Sequence, residues 1–263
     1  MKNSQSRRTS GGRRTKTKSF PNFAPSVTRA WKRFVAVGCS HGIYADPKAL
    51  ESVLRFMEGY KPTERIHLGD FTDMSAFMGG SNGEGDAVKP DLMSGVEFLE
   101  RMKATRILCG NHEARLWRDR GSHNQLRAMS AEACIYAIET TALKLHAQLY
   151  PYTGIWQAVP LGNFVFTHGT VYNENSARDM AEIYGNVIFA HTHKASVQAA
   201  RTFRQAIGIS VGTLTRRGAM DYANTRRSTL AWSQGFAYGE YCETELHPQL
   251  HIHDGGAEWK LPL

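Results

Sequence analysis

The sequence predicts an α/β layered sandwich preceded by a disordered, basic N-terminal tail. Three observations predict it. From residue 34 onward, short continuous apolar runs alternate with amphipathic stretches, the pattern of strands buried on both faces and of helices that cover them. From Ile207 on, the sequence is strand-rich and has little helical periodicity. And the positive charge is confined to one end of the chain.

The charge sets the boundaries. The 263 residues carry 32 Lys and Arg against 24 Asp and Glu, a formal +8, and 41% are hydrophobic, enough for a sizeable core. Residues 1–33 hold ten of the basic side chains and no acid, so 22 basic and 24 acidic residues remain and residues 34–263 sum to −2. This separates a tail, 1–33, from a single domain, 34–263. Within the tail, residues 1–28 are rich in Ser, Thr, Arg, Lys and Gly and cannot bury enough apolar surface to offset their ordering entropy. Such an arm either docks on nucleic acid through counterion release or simply solubilises the protein. No run approaches the roughly 18 apolar residues of a membrane span, and no apolar segment follows the N-terminal charge as in a secretory signal. Cys39, Cys109, Cys134 and Cys242 are too few and too widely spaced for a disulfide framework. The expectation is a cytoplasmic protein with no membrane partner; nothing in the sequence specifies an oligomeric state.

The elements follow in order. Phe34-Val35-Ala36-Val37 is a buried strand that stops at Gly38. Asp46 caps a helix with Pro47 at its first position; Leu50, Val53, Leu54 and Met57 line one face, and Gly59 and Pro62 end it. Residues 65–68 form a second strand, 79–86 a glycine-rich loop, 92–102 a helix and Arg106-Ile107-Leu108 a third strand. Ile135, Ile138, Ala142, Leu145 and Leu149, at 3-4-3-4 spacing, predict a helix over about 130–149. Phe164-Val165-Phe166 and Val187-Ile188-Phe189 are strands flanking a helix at about 175–184.

Polar residues collect where these strands end: Gly38-Cys39-Ser40-His41-Gly42, Gly69-Asp70-Phe71-Thr72-Asp73, Gly110-Asn111-His112-Glu113, Thr167-His168-Gly169 and Ala190-His191-Thr192-His193. Ligands of open α/β sheets bind off the carboxyl ends of strands, and glycines there let the backbone turn so that neighbouring side chains converge. Imidazole with carboxylate is a ligand set for Zn, Fe or Mn, and a carboxylate able to bridge two ions suggests a two-metal site that activates water.

The ordered set Gly-Asp-x-x-Asp, Gly-Asn-His-Glu, His-Gly and x-His-x-His resembles the calcineurin-like metallophosphoesterase family, over residues 34 to about 214. Val211-Gly212-Thr213-Leu214 resembles the family's Gly-Ser-Leu turn. The resemblance implies a four-layer α-β-β-α sandwich with two mixed sheets, and a dinuclear phosphoester hydrolase whose nucleophile is a metal-bridging hydroxide. It implies two divalent transition ions, Mn, Zn or Fe. Asp70 would bridge them, His41 and His193 would hold the first, and Asn111, His168 and His191 the second. His112 would stabilise the transition-state phosphate or protonate the leaving oxygen, with Asp73 orienting its ring. Cys39 stands where the family has an aspartate; as a thiolate ligand it would favour Zn or Fe over Mg, and otherwise it is a small buried apolar residue. Ala190 replaces the usual glycine before His191.

Weaker signals surround these. Arg115 and Arg118, with Arg120 and Arg127, follow the Gly-Asn-His-Glu motif and could grip a polyanionic substrate, as could Arg216, Arg217, Arg226 and Arg227; solvated loop charge is the bland reading. Trp117 and Tyr222 sit within these stretches, either stacking on bases or simply packed. His251 and His253 share one face of a strand, exposed or forming a further metal site. Cys39 and Cys109 are expected on adjacent strands. Taken together, the substrate expected is a nucleic acid or nucleotide phosphoester. A phosphoprotein phosphatase is the alternative suggested by Glu113-Ala114-Arg115, although Met74 and Ser75 stand where those enzymes have an arginine after the second motif. A binding protein on a catalytically weakened scaffold is the alternative suggested by Cys39.

Overall fold

Phe34, Val35, Ala36 and Val37 are all fully buried, and their alternation sets the layers. In this computed structural model, which describes residues 30–79, 87–203, 205–224, 226–256 and 258–262, they belong to strand β1, Lys32–Val37. The basic segment 1–28 and most of the glycine-rich loop at 79–86 lie outside the described residues. Val35 and Val37 point to one side, into a core with Val53 and Phe56 of helix α1 (Pro47–Tyr60), Leu99 of α2 (Val88–Arg101) and Ile135 and Ile138 of α4 (Gln125–Lys144). Phe34 and Ala36 point to the other, into a second core shared with Phe166 of β6 (Phe164–Thr167), Ile188 of β7 (Val187–Phe189) and Ile209 of β9 (Ile207–Val211). Period-2 side-chain direction thus places a helical layer on one face of the first sheet and a second sheet on the other. Across that inter-sheet core, Phe34 meets Phe166 edge to face at 5.6 Å.

The second sheet repeats the logic. Ile188 faces the inter-sheet core, while Val187 and Phe189 face Ala177, Met180 and Ala181 of α5, Ser176–Tyr184. The order is helices, sheet, sheet, helix: the four-layer α-β-β-α sandwich.

Both sheets are mixed. The first contains β2 (Glu64–His67), β3 (Arg106–Leu108), β4 (Gln148–Tyr150), β10 (Gly235–Tyr241) and β11 (Leu246–Ile252), in the order β11-β10-β1-β2-β3-β4. β1 to β4 run parallel, and β10 and β11 are antiparallel additions. The second adds β5 (Val159–Leu161) and β8 (Ala195–Ala199), in the order β5-β6-β7-β9-β8, with β6, β7 and β9 parallel and both edge strands antiparallel. No helix among the described residues is long and apolar enough to cross a membrane.

Several boundaries differ from expectation. β1 begins two residues early, so Lys32 and Arg33 belong to the sheet. The Asp46 carboxylate does cap α1, accepting the Lys48 N–H at 2.9 Å. That helix runs through Gly59 and ends when Lys61 turns left-handed. α2 begins at Val88 rather than 92, with Pro90 in its first turn, where a missing N–H costs nothing. The largest error is α4, which ends at Lys144. His146 adopts a left-handed conformation and Leu149, although in helical phase, lies in β4. Helix α3 (Ala114–Asp119) and the edge strands β4, β5 and β8 were not anticipated. Cys39 and Cys109 follow β1 and β3, which are not adjacent, because β2 lies between them.

Candidate metal centre

The five motif loops continue from β1, β2, β3, β6 and β7, so parallel strands deliver them to one end of the sandwich. The first loop runs alongside the second beyond the strands: Cys39 N–H donates to the Gly69 carbonyl, His41 N–H to Asp70 and Gly42 N–H to Phe71, each at 2.9 Å. Cys39, His41, Asp70, His191 and His193 all have φ between 52° and 63°. Each such left-handed residue costs on the order of 1–3 kcal/mol, and the turn it makes swings its side chain inward. Gly69 and Gly110 allow the closest approach: a Cβ on Gly69 would meet the Gly110 backbone at 2.6 Å and the His168 ring at 2.7 Å, and one on Gly110 would strike the Asp70 carboxylate.

Three groups of ligand atoms result: His41, Asp73 and His112 form one, and the other two share a carboxylate. Of these two, Cys39, His41, Asp70 and His193 form one, and Asp70, His168 and His191 the other, with the ligand atoms of each within 4.8 Å of one another. Asp70 Oδ2 lies 3.2 Å from His168 Nε2 and 3.8 Å from His41 Nε2. Asn111 Oδ1 is 3.0 Å from His168 Nε2, and His191 Nδ1 is 3.2 Å from the same nitrogen. All seven side chains expected as ligands therefore come together.

The protonation pattern of these rings fits divalent cations. His168 Nδ1 donates to the Leu68 carbonyl at 2.8 Å, and His41 Nδ1 to the Asp73 carboxylate at 3.0 Å. Each ring is thereby held in the tautomer that turns an Nε2 lone pair toward the cluster, the second-sphere arrangement of metal-binding histidines. His41 Nε2 and His193 Nε2 face each other across 3.0 Å. Burial, and then neighbouring His112, lowers the His41 pKa; burial, and then His41, lowers that of His193; burial and His168 bring His191 down to about 4. Lone pairs converge where protonation is disfavoured, and a dication is the species that satisfies them. Burial works to raise the Asp70 carboxyl, but His168, His112 and His41 outweigh it and hold the pKa well below the usual range.

Cys39 is fully buried, and its Sγ accepts the His191 N–H at 3.2 Å. Burial, and then Asp70, push its thiol well up. It also packs against the inter-sheet core, with its Sγ at the edge of the ligand group. The neighbouring Ala190 is fully buried too, and a Cβ on Gly38 would come within 2.5 Å of its methyl group, so the alanine is accommodated by a glycine across from it.

His112 and Asp73 sit beside the cluster. His112 Nδ1 donates to the Asp73 carbonyl at 2.6 Å and lies 3.2 Å from Asp73 Oδ1, while Nε2 is 3.9 Å from Asp70 Oδ2. Burial opposes the charged imidazolium, but Asp70 and the Asp73 contact prevail and raise the His112 pKa. Arg115 reaches this corner. Its Nη1 donates to the Asp73 carbonyl at 2.8 Å, and its Nη2 lies 3.3 Å from His112 Nε2. Arg118 does not join it: its guanidinium binds the Phe77 carbonyl and Asp119.

Four further residues support the site. Glu113, fully buried, accepts the N–H groups of Gly110, Asp70 and Thr72 and the Thr72 hydroxyl, all within 2.9 Å, and so ties the second and third loops together. Asp91 of α2 accepts N–H groups from Ile43, Asp73 and Met74, tying the first loop to the second. Tyr222, in the one-turn helix α6 (Asp221–Asn224), donates to Asp73 Oδ1 at 2.6 Å. Trp232 packs on His193 with ring centroids 4.2 Å apart. Glu113 stood within a motif. Asp91, Tyr222 and Trp232 had no sequence signal for this role, since the chain positions them only through tertiary contacts. Trp117 packs against the helical-side core. His251 and His253 turn to Trp259, His253 stacking on it at 4.7 Å, and neither belongs to a metal-ligand cluster among the described residues.

No protein-family model matches the sequence, and no curated protein matches it. In structure the chain is similar to an archaeal phosphodiesterase, with 12% identity and a TM-score of 0.42 over 83% of this chain and 99% of that one. It is also similar to YfcE, a phosphoesterase from E. coli, with 13% identity and a TM-score of 0.36 over 82% and 98%. A third similar structure is Vps29 from Entamoeba histolytica, with 10% identity and a TM-score of 0.45 over 86% and 94%.

Proposed function

We propose that the chain is a dinuclear metal-dependent phosphoester hydrolase of the calcineurin-like metallophosphoesterase type, with a nucleic acid or nucleotide phosphoester as substrate. The observation that carries this reading is the position of Asp70, whose carboxylate belongs to two of the ligand groups. In this reading Cys39, His41 and His193 would hold one ion and Asn111, His168 and His191 the other, with Asp70 shared between them. Divalent ions such as Mn, Zn or Fe would supply Lewis acidity toward the phosphoryl oxygens and lower the pKa of an attacking water.

The chain's own groups do the rest. Hydrolysis places a hydroxyl on phosphorus and a hydrogen on the leaving oxygen as the P–O bond breaks. His112 Nε2, directed toward Asp70, delivers that hydrogen and regains one from the attacking water. Arg115 Nη2, beside His112, is placed to hold a phosphoryl oxygen. Charge supports the substrate class: ten basic residues lie in 1–33, and the exposed Arg216, Arg217, Arg226 and Arg227 lie within six residues of Tyr222. Cys39, Cys109 and Cys134 are buried free thiols, which accords with a cytoplasmic protein.

The test is hydrolysis of a bis-aryl phosphodiester, an aryl phosphomonoester and DNA with Mn²⁺ or Zn²⁺. Metal-dependent turnover, reduced about 10²-fold or more in His112→Ala, is expected. No metal-dependent turnover, or His112→Ala equal to the parent, overturns the reading. A monoester preference over the diester points instead to a phosphoprotein phosphatase. Removing residues 1–28 should weaken DNA binding at low salt and leave turnover of the small diester intact.

A further inference from the structure

Asp73 makes all its described side-chain hydrogen bonds through one oxygen. Oδ1 lies 3.0 Å from His41 Nδ1, 3.2 Å from His112 Nδ1 and 2.6 Å from the Tyr222 hydroxyl, while buried Oδ2 has no protein partner among the described residues. Three donors converge on this one carboxyl oxygen, so Asp73 is the shared acceptor of the group. Burial, and then Asp73 itself, push the Tyr222 hydroxyl's pKa up, so the phenol keeps its hydrogen and donates it. Met220 Sδ is also near, at 3.2 Å, but the single hydrogen goes to the shorter, charge-assisted contact.

The two histidines alone do not fix this carboxylate. The terminal torsion of a carboxylate is soft, so the two rings alone leave Oδ1 room to swing from the point where both meet it. Tyr222 removes that freedom. Its bond comes from a segment 149 residues away in sequence, outside the motif loops, and fastens Oδ1 on the side where His41 and His112 meet. The ring centroids of those histidines are 4.5 Å apart, so a turn of the carboxylate would disturb both.

We propose that Tyr222 is a positioning residue that acts through Asp73 on His41 and His112 together, coupling the arginine-bearing segment after β9 to the reacting end of the site. His41 keeps the tautomer that would present Nε2 to the first metal, and His112, whose Nδ1 hydrogen is shared between the Asp73 carbonyl at 2.6 Å and Oδ1 at 3.2 Å, keeps its Nε2 turned toward Asp70. This rests on the hydrolase reading above for its effect on turnover, and on the ligand geometry alone for its effect on metal binding.

The experiment is a double-mutant cycle of Tyr222→Phe and Asp73→Asn, read in kcat and KM for a bis-aryl diester and, separately, in Zn²⁺ affinity by calorimetric titration. Tyr238→Phe, which loses a hydroxyl bonded to Gln249 on β11, is the control. Tyr222→Phe should lower kcat about 10- to 100-fold, leave KM within about twofold, and weaken Zn²⁺ binding by roughly tenfold, the range typical of second-sphere partners. In the Asp73→Asn background it should cost nothing more. Tyr222→Phe equal to the parent in both readouts, or losses that multiply in the double variant, would overturn the proposal. If the parent hydrolyses no phosphoester, the hydrolase reading fails, and the Zn²⁺ titration cycle alone decides the role of Tyr222.

Discussion

His41 Nε2 and His193 Nε2 lie 3.0 Å apart in a fully buried site, with the other nitrogen of His41 already committed to Asp73. His193 Nε2 donates to His41 Nε2 in that arrangement, which leaves buried His193 Nδ1 without a partner among the described residues, and cations that bind only the folded cluster stabilise it. Dialysis against a chelator should lower the melting temperature, and Mn²⁺ or Zn²⁺ should restore it. With metal about 100-fold above Kd the expected rise is about 5–10 °C for a domain of this size. Scanning fluorimetry with and without metal checks it; a melting temperature indifferent to metal contradicts it.

In the proposed reading, Cys39 would be the soft ligand that sets metal choice. Cys39→Asp should bind two ions as the parent does but lose roughly tenfold or more in preference for Zn²⁺ over Mn²⁺, because thiolate favours zinc more than carboxylate does. Competition titration measures this. Unchanged preference would assign Cys39 to packing, next to Ala190 in the inter-sheet core.

His67 makes the fold sensitive to acid. Its Nδ1 accepts the Gly69 N–H at 3.2 Å, which leaves Nε2 to donate to the Ser40 hydroxyl at 3.1 Å, so the buried ring is neutral. Burial brings its pKa down to about 3. The unfolded chain, with a pKa of about 6.5, therefore binds the proton more readily between those values. Stability is full above about pH 6.5 and falls as pH drops toward 3, by about 2 kcal/mol at pH 5 from this group alone. His67→Asn keeps an acceptor for Gly69 and should lose about 2 kcal/mol less than the parent between pH 7.5 and 5.0 in urea unfolding. An identical pH dependence in the two proteins would show that His67 is protonated without cost.

Asp91 holds the loops that carry His41 and Asp73. Asp91→Ala strips the acceptor from the buried N–H groups of Asp73 and Met74, and from that of Ile43. At about 1–3 kcal/mol for each buried donor left unsatisfied, the loss should exceed about 3 kcal/mol and lower the metal content of the folded protein. Denaturant midpoints and elemental analysis measure both; a loss below about 1 kcal/mol with full metal content would mean the loops hold themselves.

Much of the site was legible in sequence for a physical reason. Asp70, Asn111, His168 and His191 follow short apolar strands, and glycines at 69 and 110 mark where side chains must pass within contact of one another. Local pattern and convergence therefore coincide. The same local logic failed where two patterns agreed but the backbone did not: Leu145 and Leu149 keep the helical phase of α4, yet His146 turns left-handed and Leu149 enters a strand. It was silent where the role exists only in three dimensions. Tyr222 on a one-turn helix and Asp91 within an ordinary amphipathic helix reach the cluster through tertiary packing, and no spacing announces them. Cys39 and Cys109 are expected on adjacent strands, but the strand that carries the Asp70 motif, β2, separates them.

The central claim is that Asp70 joins two metal sites. Anomalous X-ray scattering from crystals of the full chain grown with Mn²⁺ tests it most directly. The account predicts two peaks roughly 3.5–4 Å apart, on either side of the Asp70 carboxylate, one beside His41 and His193 and the other beside His168 and His191. A single peak, or peaks that do not touch Asp70, would contradict it.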